Sequence, residues 1–178
     1  MKAYTNVNLV TCDSAFHVYR DGLLVVEDDR IAYCGPYDEN WLGKCSEIVD
    51  YEGAWIMPGL VNCHTHSAMT LLRGIRDDSN LHEWLEDYIW PAESQFTEDL
   101  TTEAVQLALA EMLLSGTTTF NDMYNPQGVD IDRIYQAVRQ SGMRCYFSPT
   151  LFSSEVETAE ETLARTRAII EKILSYDD

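Results

Sequence analysis

The feature that most constrains this fold is an alternation of strand-like and helix-like segments, which runs three times between residues 58 and 178. The strand-like runs are apolar or β-branched and cover residues 60–63, 117–120 and 144–150, and a helical pattern follows each. Three successive strand–helix units predict a parallel sheet with right-handed crossovers, and hence an α/β fold. Such units fit either an open doubly wound sheet or an arc of a closed barrel. An eight-stranded barrel needs about 250 residues, so a barrel would be incomplete in this sequence.

Capping residues set the expected bounds of the first two helices. Asn80 and Glu83 have the spacing of a capping box, for a helix that runs to Pro91. A second helix is expected over about 98–115, ended by Gly116 in a left-handed cap. The side chains expected on its inward face are Leu100, Ala104, Leu107, Ala108, Met112 and Leu113.

The same kinds of capping residue predict two more helices. Asp130 begins a helix that runs through Gln140 and ends at Gly142, and Thr158 with Glu161 forms a second capping box. The last helix is expected to turn four apolar residues inward, namely Leu163, Ile170, Ile173 and Leu174.

Residues 1–57 have no helical period and read as short strands. Apolar, β-branched runs cover residues 6–11, 23–26 and 30–33. Turn-forming residues punctuate these runs at Asp21-Gly22, Asp28-Asp29 and Gly35-Pro36. The sequence therefore predicts a small antiparallel sheet ahead of the strand–helix units.

The net charge indicates which partners are unfavourable, and the N-terminus and the cysteines indicate the expected location. Thirty acidic and 12 basic residues give a net charge of −18, which disfavours nucleic acid and anionic membrane surfaces as partners. The N-terminus has no apolar segment of a signal peptide, and no run is long enough to span a membrane. The five cysteines are odd in number and irregularly spaced, which favours reduced thiols in a cytoplasmic protein.

One motif predicts a metal site. His64 and His66 are two residues apart at the end of the first strand of the series, so both imidazoles should point to one face, with Cys63 and Thr65 on the other. Two convergent neutral imidazoles suit Zn²⁺, Fe²⁺ or another borderline divalent ion. Carboxyl ends of parallel strands are where α/β folds place their sites. Isolated His-x-His pairs are also common as surface or core histidines, so context has to decide.

The context resembles a known family at several separated points. The run MPGLVNCHTH at residues 57–66 closely resembles the first-strand motif of the amidohydrolase superfamily. SAMTLLRG at 67–74, EWL at 83–85 and PAE at 91–93 are similar to the branch of methylthioadenosine/S-adenosylhomocysteine deaminases and related chlorohydrolases. AEML at 110–113, SGTTT at 115–119 and DM at 122–123 extend the resemblance over essentially the whole chain.

The resemblance implies a (β/α)8 TIM barrel with a small β-sandwich built from both chain ends. Residues 1–57 would be the N-terminal part of the sandwich, and 58–178 the first three βα units of the barrel. It implies one metal ion, usually zinc, held by His64 and His66 together with a histidine and an aspartate from later strands outside this chain. Glu93 matches a glutamate that binds ribose hydroxyls, and Trp84 a pocket aromatic. Without the family, Glu93 would be taken as a solvated helix-end carboxylate and Trp84 as a core residue.

The implied reaction is hydrolytic deamination of an adenosine-type nucleoside, with the metal lowering the pKa of water and ammonia leaving. No catalytic acid or base falls within this sequence, so residues 1–178 alone are expected to be inactive. They are also expected to associate, through open strand edges, with the remainder of the enzyme or with themselves.

The substrate is less constrained than the reaction. Pro149 stands where the adenosylhomocysteine deaminases carry an arginine for the substrate's carboxylate. One alternative is a related amidohydrolase that acts on guanine, cytosine or triazine-type rings. The other alternative is a truncated protein without catalytic activity. A dihydroorotase-like enzyme would carry an arginine two residues past the second histidine, where this chain has Ala68.

Overall fold

Two units make up the protein, Met1–Pro58 and Gly59–Asp178. The structure is a computed structural model that describes residues 1–124, 129–151 and 158–176. None of the helices it describes is long and apolar enough to cross a membrane.

The first unit is a five-stranded sheet with its earliest strand in the middle. The strands are β1 (Lys2–Val10), β2 (Val18–Glu27), β3 (Arg30–Pro36), β4 (Glu47–Asp50) and β5 (Trp55–Ile56). Strand β1 pairs with β2 on one side and with both β4 and β5 on the other, and β3 continues the sheet beyond β2. Ala3, Leu23 and Val25 are fully buried in the core of this unit.

The antiparallel expectation is right for three of these strands and wrong for two. The pairs β1–β2 and β2–β3 are antiparallel, whereas β4 and β5 run parallel to β1. A parallel return needs a crossover connection, and a 3-10 helix at Glu39–Lys44 lies in the segment between β3 and β4. Its Trp41 and Leu42 pack against the buried core of the sheet, which stabilises this route.

Only one of the three expected turns is a turn between strands. Asp28-Asp29 joins β2 to β3 in a two-residue hairpin, with Asp28 at a φ of 51° as such a turn requires. Asp21-Gly22 instead lies inside β2, next to an irregularity in the β1–β2 register, and Gly35-Pro36 are the last two residues of β3. A Cβ on Gly22 would come within 2.9 Å of both Leu9 and the Gly35 carbonyl, so glycine serves a close approach of strands there.

The second unit contains the predicted parallel sheet. Strands β6 (Leu60–Thr65), β7 (Thr117–Tyr124) and β8 (Arg144–Pro149) pair in parallel in that order. Helix α3 (Glu98–Leu114) lies between β6 and β7 in the chain, α4 (Ile131–Ser141) lies between β7 and β8, and α5 (Ala159–Leu174) follows β8. The three-unit α/β prediction is therefore confirmed at the level of strands and helices.

The predicted caps of these helices are present. Asp130 accepts from the amides of Asp132 and Arg133 at the start of α4, and Gly142 ends it with a φ of 73°. Thr158 and Glu161 form a complete capping box on α5. The Asn80 side chain caps the Glu83 amide, but Glu83 accepts from the Asn80 side chain and not from its backbone.

The predicted inward faces of α3 and α5 are partly wrong. In α3 the buried residues are Thr101, Ala104, Val105, Ala108 and Leu109. Leu107 and Leu113 are more than 40% exposed, because apolar residues surround much of this helix and its small-residue side packs inward.

In α5 the buried residues are Thr162 and Thr166, while Leu163, Ile170 and Leu174 are exposed. Strand β8 is the last strand of the described sheet, so an apolar side of α5 directed beyond it has no strand to cover it within the described residues.

The helix expected to end at Pro91 continues past it. Helix α1 (Leu81–Glu83) runs into a π-helical segment, Trp84–Ile89, and then into α2 (Trp90–Glu93). The Trp90 amide donates to the Leu85 carbonyl five residues back. This wider turn accommodates Pro91, which lacks an amide and would clash in a regular α-helix.

Candidate metal site

A β-bulge shapes the strand that carries the histidine pair. Asn62 pairs with Phe120 and Thr65 pairs with Asp122, so three steps along β6 match two steps along β7. The extra residue falls at Cys63–His64 and breaks the strict alternation that the sequence predicted. Cys63 is exposed, whereas the Thr65 hydroxyl is buried.

The structure brings the two predicted ligands together. The rings of His64 and His66 have centroids 5.1 Å apart and planes at 80°. Both side chains are exposed at the carboxyl end of β6. Their convergence makes a two-donor site possible, although the role of each as a ligand stays a prediction.

A backbone contact selects the tautomer of His66. Its Nδ1 lies 3.2 Å from the Met123 carbonyl oxygen at the end of β7. A carbonyl can only accept, so Nδ1 carries the proton and donates it. In the neutral form of the ring the lone pair is then on Nε2, and this is how a metal-binding imidazole is commonly oriented by its surroundings.

The residue after His66 is fixed by a buried carboxylate. Asp122 is 1% exposed; its Oδ1 accepts from the Ser67 amide at 2.9 Å, and its Oδ2 accepts from the Ser67 hydroxyl. Burial raises the pKa of Asp122 to about 6, against the opposing effect of the Ser67 hydrogen bonds and the charge of His66. Ser67, itself buried, begins a 3-10 helix at Ser67–Leu72.

Asn121 makes a second link across the sheet. Its amide donates to the Cys63 carbonyl at 3.4 Å, and its carbonyl oxygen accepts from the Ser148 hydroxyl at 2.8 Å. One side chain of β7 therefore touches the bulge of β6 on one side and β8 on the other.

The two predicted substrate-binding residues lie near His66. Trp84 and His66 both line an open cavity of about 350 Å³, together with Arg73 and Arg76. Glu93 is half-buried, and this burial raises its pKa, while the charge of His66 lowers it. Glu93 is the last residue of α2, and Trp84 is partly exposed and not a core residue, so the substrate-binding role of both stays a prediction.

The donors present fit part of a metal site. Within residues 1–124, 129–151 and 158–176, no group of three or more histidine, cysteine, aspartate or glutamate side chains is arranged to hold a metal ion. Zinc sites normally use three or four protein ligands. Two imidazoles, one with its tautomer set by the Met123 carbonyl, fit a borderline ion in donor type but not in number.

A profile of the amidohydrolase family matches residues 55–177, which include β6, β7 and β8 and the hydrogen bonds made by Asn121, Asp122 and Met123. The chain belongs to the amidohydrolase family. The predicted resemblance is thus confirmed, and the histidine pair of this amidohydrolase lies within the matched region.

The relatives of this amidohydrolase include deaminases. It is 48% identical over 151 residues to a 5-methylthioadenosine/S-adenosylhomocysteine deaminase of Bacillus cytotoxicus. The aligned region covers 85% of this chain and 35% of the relative. The chain therefore spans about a third of the length of the curated relatives it matches.

Two solved structures illustrate the likeness in fold. An adenosine deaminase from Xanthomonas campestris with bound zinc is 28% identical, with a TM-score of 0.77 over 98% of this chain and 40% of that one. Atrazine chlorohydrolase from Arthrobacter aurescens, complexed with zinc, is 20% identical, with a TM-score of 0.82 over 100% of this chain and 44% of that one.

Sequence reasoning missed the residues that hold the histidine segment in place. Asp122 entered only as part of a family motif, without a role, and Asn121 did not enter at all. The predicted strand ended at Phe120, two residues before Asp122, so nothing in the sequence marked this carboxylate as buried and in need of a partner. Its partner, Ser67, is 55 residues away and could not be named without the fold.

Proposed function

We propose that this amidohydrolase chain provides the first-strand part of a metal-dependent deaminase for an adenosine-type nucleoside, such as methylthioadenosine or S-adenosylhomocysteine. The observation that carries the proposal is the convergence of His64 and His66 beside Trp84, which lines the same cavity as His66. The name of the Bacillus cytotoxicus relative supports the nucleoside class.

In this proposal His64 and His66 hold a zinc ion or another divalent ion. When bound, the ion supplies Lewis-acid chemistry and lowers the pKa of water. The Met123 carbonyl keeps the proton of His66 on Nδ1, so that Nε2 is the donor atom. The other ligands and the proton-transferring carboxylate come from outside residues 1–178, and these residues alone are inactive.

Glu93 and Trp84 orient the nucleoside. A half-buried carboxylate near His66 is suited to accept hydrogen bonds from ribose hydroxyls, since burial strengthens such contacts. Trp84 offers an aromatic surface in the cavity, against which a purine can stack. The π-helical turn that begins at Trp84 and ends four residues before Glu93 sets the spacing of the two.

The same proposal explains the exposed edges of the second unit. In the described part of the chain, β6 and β8 each have a strand partner on one side only. Leu60 and Val61 of β6 are more than half exposed. These edges are the places where the remaining strands of a (β/α)8 barrel would pair, or where isolated copies of residues 1–178 would associate.

Pro149 bears on the charge of the substrate's 5′ substituent. It is the last residue of β8, at the carboxyl end of the sheet, and it has no charge to pair with a substrate carboxylate. This favours a nucleoside with an uncharged 5′ substituent, such as methylthioadenosine. It also keeps guanine, cytosine and triazine-type rings as the second candidate class.

The test is an ammonia-release assay on the protein at its full natural length. The panel contains methylthioadenosine, S-adenosylhomocysteine, adenosine, guanine, cytosine and a triazine. We expect methylthioadenosine to be the best substrate, with activity lost in His64→Ala and His66→Ala and kept in His82→Ala, an exposed histidine that pairs with Glu86. Guanine, cytosine or triazine turnover without nucleoside turnover would replace the proposal with the second class. Activity that survives both site substitutions, or no turnover of any substrate, would reject it.

A further inference from the structure

Three consecutive residues at the end of β7 contact the segment that carries the histidine pair. The Asn121 side chain reaches the Cys63 carbonyl just before His64. The Asp122 side chain holds Ser67 just after His66. The Met123 carbonyl accepts from His66 itself. Strand β7 therefore contacts the histidine segment at its start (Cys63), at the His66 imidazole and at the residue that follows it (Ser67).

Asp122 makes the strongest of these contacts. Both of its oxygens are engaged by one residue, Ser67, through a backbone amide and a hydroxyl. Both residues are 1% exposed, so water does not compete for these bonds. Hydrogen bonds to a carboxylate are shorter and stronger than neutral ones, and a two-point contact fixes orientation as well as distance.

A buried carboxylate at this position has a large desolvation free energy, so it is an unusual choice for a purely structural contact. Burying a charge is costly, and an apolar pair of similar volume commonly stabilises a fold as well or better. The contact does not fall at the centre of the apolar cluster around Phe120 but at the residue that follows a predicted ligand. Its placement points to orientation of that ligand, in addition to stability.

We infer that Asp122 is a positioning residue for the metal site, and that it acts through Ser67 to fix where His66 presents its Nε2 atom. Asp122 touches neither substrate nor metal in this inference. Ser67 begins the 3-10 helix, and His66 is the residue that precedes that helix. A shift of Ser67 therefore moves the backbone of His66 directly.

The inference rests on the metal site of the proposed function but not on its substrate. The test accordingly measures metal binding, on the protein at its full natural length. Zinc affinity is determined by competition with a chelator, and the visible spectrum is recorded with Co²⁺ in place of zinc. If the wild-type protein binds neither ion, the proposed function fails; if it binds them, the variants below judge the inference separately.

The main variant is Asp122→Ala, and Val105→Ala is its matched control. Val105 is fully buried in the apolar cluster around Phe120, so its truncation lowers stability without removing any hydrogen bond to the histidine segment. We expect zinc affinity to fall about 10- to 100-fold in Asp122→Ala, as for other residues that orient metal ligands, with an altered Co²⁺ spectrum. Val105→Ala should have wild-type affinity and spectrum despite a lower melting temperature.

Two further variants keep the test decisive if Asp122→Ala does not fold. In Asp122→Asn the amide can accept from the Ser67 amide and donate to its hydroxyl, so affinity should stay within a few-fold of wild type, roughly. Ser67→Ala removes one of the two hydrogen bonds and should lie between Asp122→Asn and Asp122→Ala in affinity, with a shifted Co²⁺ spectrum. Unchanged affinity and spectrum in Ser67→Ala, or equal losses in Asp122→Ala and Val105→Ala, would reduce Asp122 to a purely structural residue and overturn the inference.

Discussion

Replacing Gly59 with alanine tests the tightest approach in the second unit. A Cβ placed on Gly59 would lie 2.0 Å from the Thr118 Oγ1, 2.4 Å from its Cγ2 and 2.7 Å from its Cβ. Ordinary contacts between such atoms are about 3.5 Å, so the new methyl group overlaps all three. Rotation of Thr118 about χ1 moves Oγ1 and Cγ2 but leaves Cβ in place. The overlap therefore has to be relieved by the backbone, which must separate by about 0.8 Å at this point.

The size of the effect follows from two opposing contributions. Overpacking that forces a backbone shift costs about 1–3 kcal/mol, and the rigid position of the Thr118 Cβ places Gly59→Ala toward the upper end. Replacing glycine also stabilises by about 0.4–1 kcal/mol, because the unfolded chain loses freedom. We expect a net loss of about 2 kcal/mol in the free energy of unfolding. The loss should also reach the site, because Gly59 precedes β6, which Leu60 anchors by donating to the Gly116 carbonyl at 2.9 Å.

The assay is denaturant unfolding of the full-length protein, with zinc content measured on the same samples. Gly43→Ala is the matched control, since no atom lies within 4 Å of a Cβ there and its φ is not positive. It should be neutral or stabilising by less than about 1 kcal/mol. Adding Thr118→Gly to Gly59→Ala removes all three overlapping atoms, and the double-mutant cycle should show a favourable coupling of about 1–2 kcal/mol. Equal stability of the two alanine variants, or a coupling near zero, would show that the close approach does not limit this strand.

Three other substitutions and one experiment on the unchanged protein have definite expected outcomes. Phe120→Ala empties the centre of the apolar cluster and should cost about 3–5 kcal/mol in denaturant unfolding. Burial raises the pKa of the Cys145 thiol to about 12, so a thiol reagent at pH 8 should label exposed Cys12 long before Cys145; because the unfolded thiol ionises first, stability should fall as pH rises from about 9 to 12. Thr158→Ala removes the capping box of α5 and should cost about 1 kcal/mol, seen as faster amide exchange in its first turn. Pro149→Arg should raise kcat/KM for S-adenosylhomocysteine over methylthioadenosine by roughly tenfold or more, from a charge-assisted contact.

Each of these has a control. Phe120→Leu should lose clearly less stability than the alanine variant, and Thr158→Ser should keep the cap. Equal labelling rates of the two cysteines would contradict the burial of Cys145, and an unchanged preference in Pro149→Arg would show that the end of β8 does not approach the substrate tail.

Much of the second unit could be predicted from the sequence because its signals are local. The bounds of α3 and α4, and the caps at Asp130, Gly142 and Thr158, depend on residues within one or two turns of each other. The direction of β4 and β5 could not be predicted, since it depends on pairing with β1 about 45 residues earlier. The buried side of α3 was also missed, because apolar residues around most of its circumference leave the choice of face to the sheet.

In the candidate site, too, the local features could be predicted from the sequence and the long-range contacts could not. The spacing of His64 and His66 is a local property of a strand end, and the observed 5.1 Å ring separation agrees with it. The bulge at Cys63–His64 is not visible in the sequence of β6, because it is defined by the register with β7. The contacts from Asn121, Asp122 and Met123 span 55 to 58 residues and require the fold to be known.

The central place of β1 has a consequence for how the first unit is made. During synthesis β1 emerges about 45 residues before β4, its parallel partner. At about 5–20 residues per second, the edge of β1 that later pairs with β4 stays unpaired for roughly 2–10 seconds. Hairpins close in microseconds, so β1, β2 and β3 can form a three-stranded sheet long before β4 arrives. During that interval the open edge of β1 is where a nascent chain of this protein is most exposed to pairing with a neighbour, and a slow codon between residues 36 and 47 would lengthen the exposure.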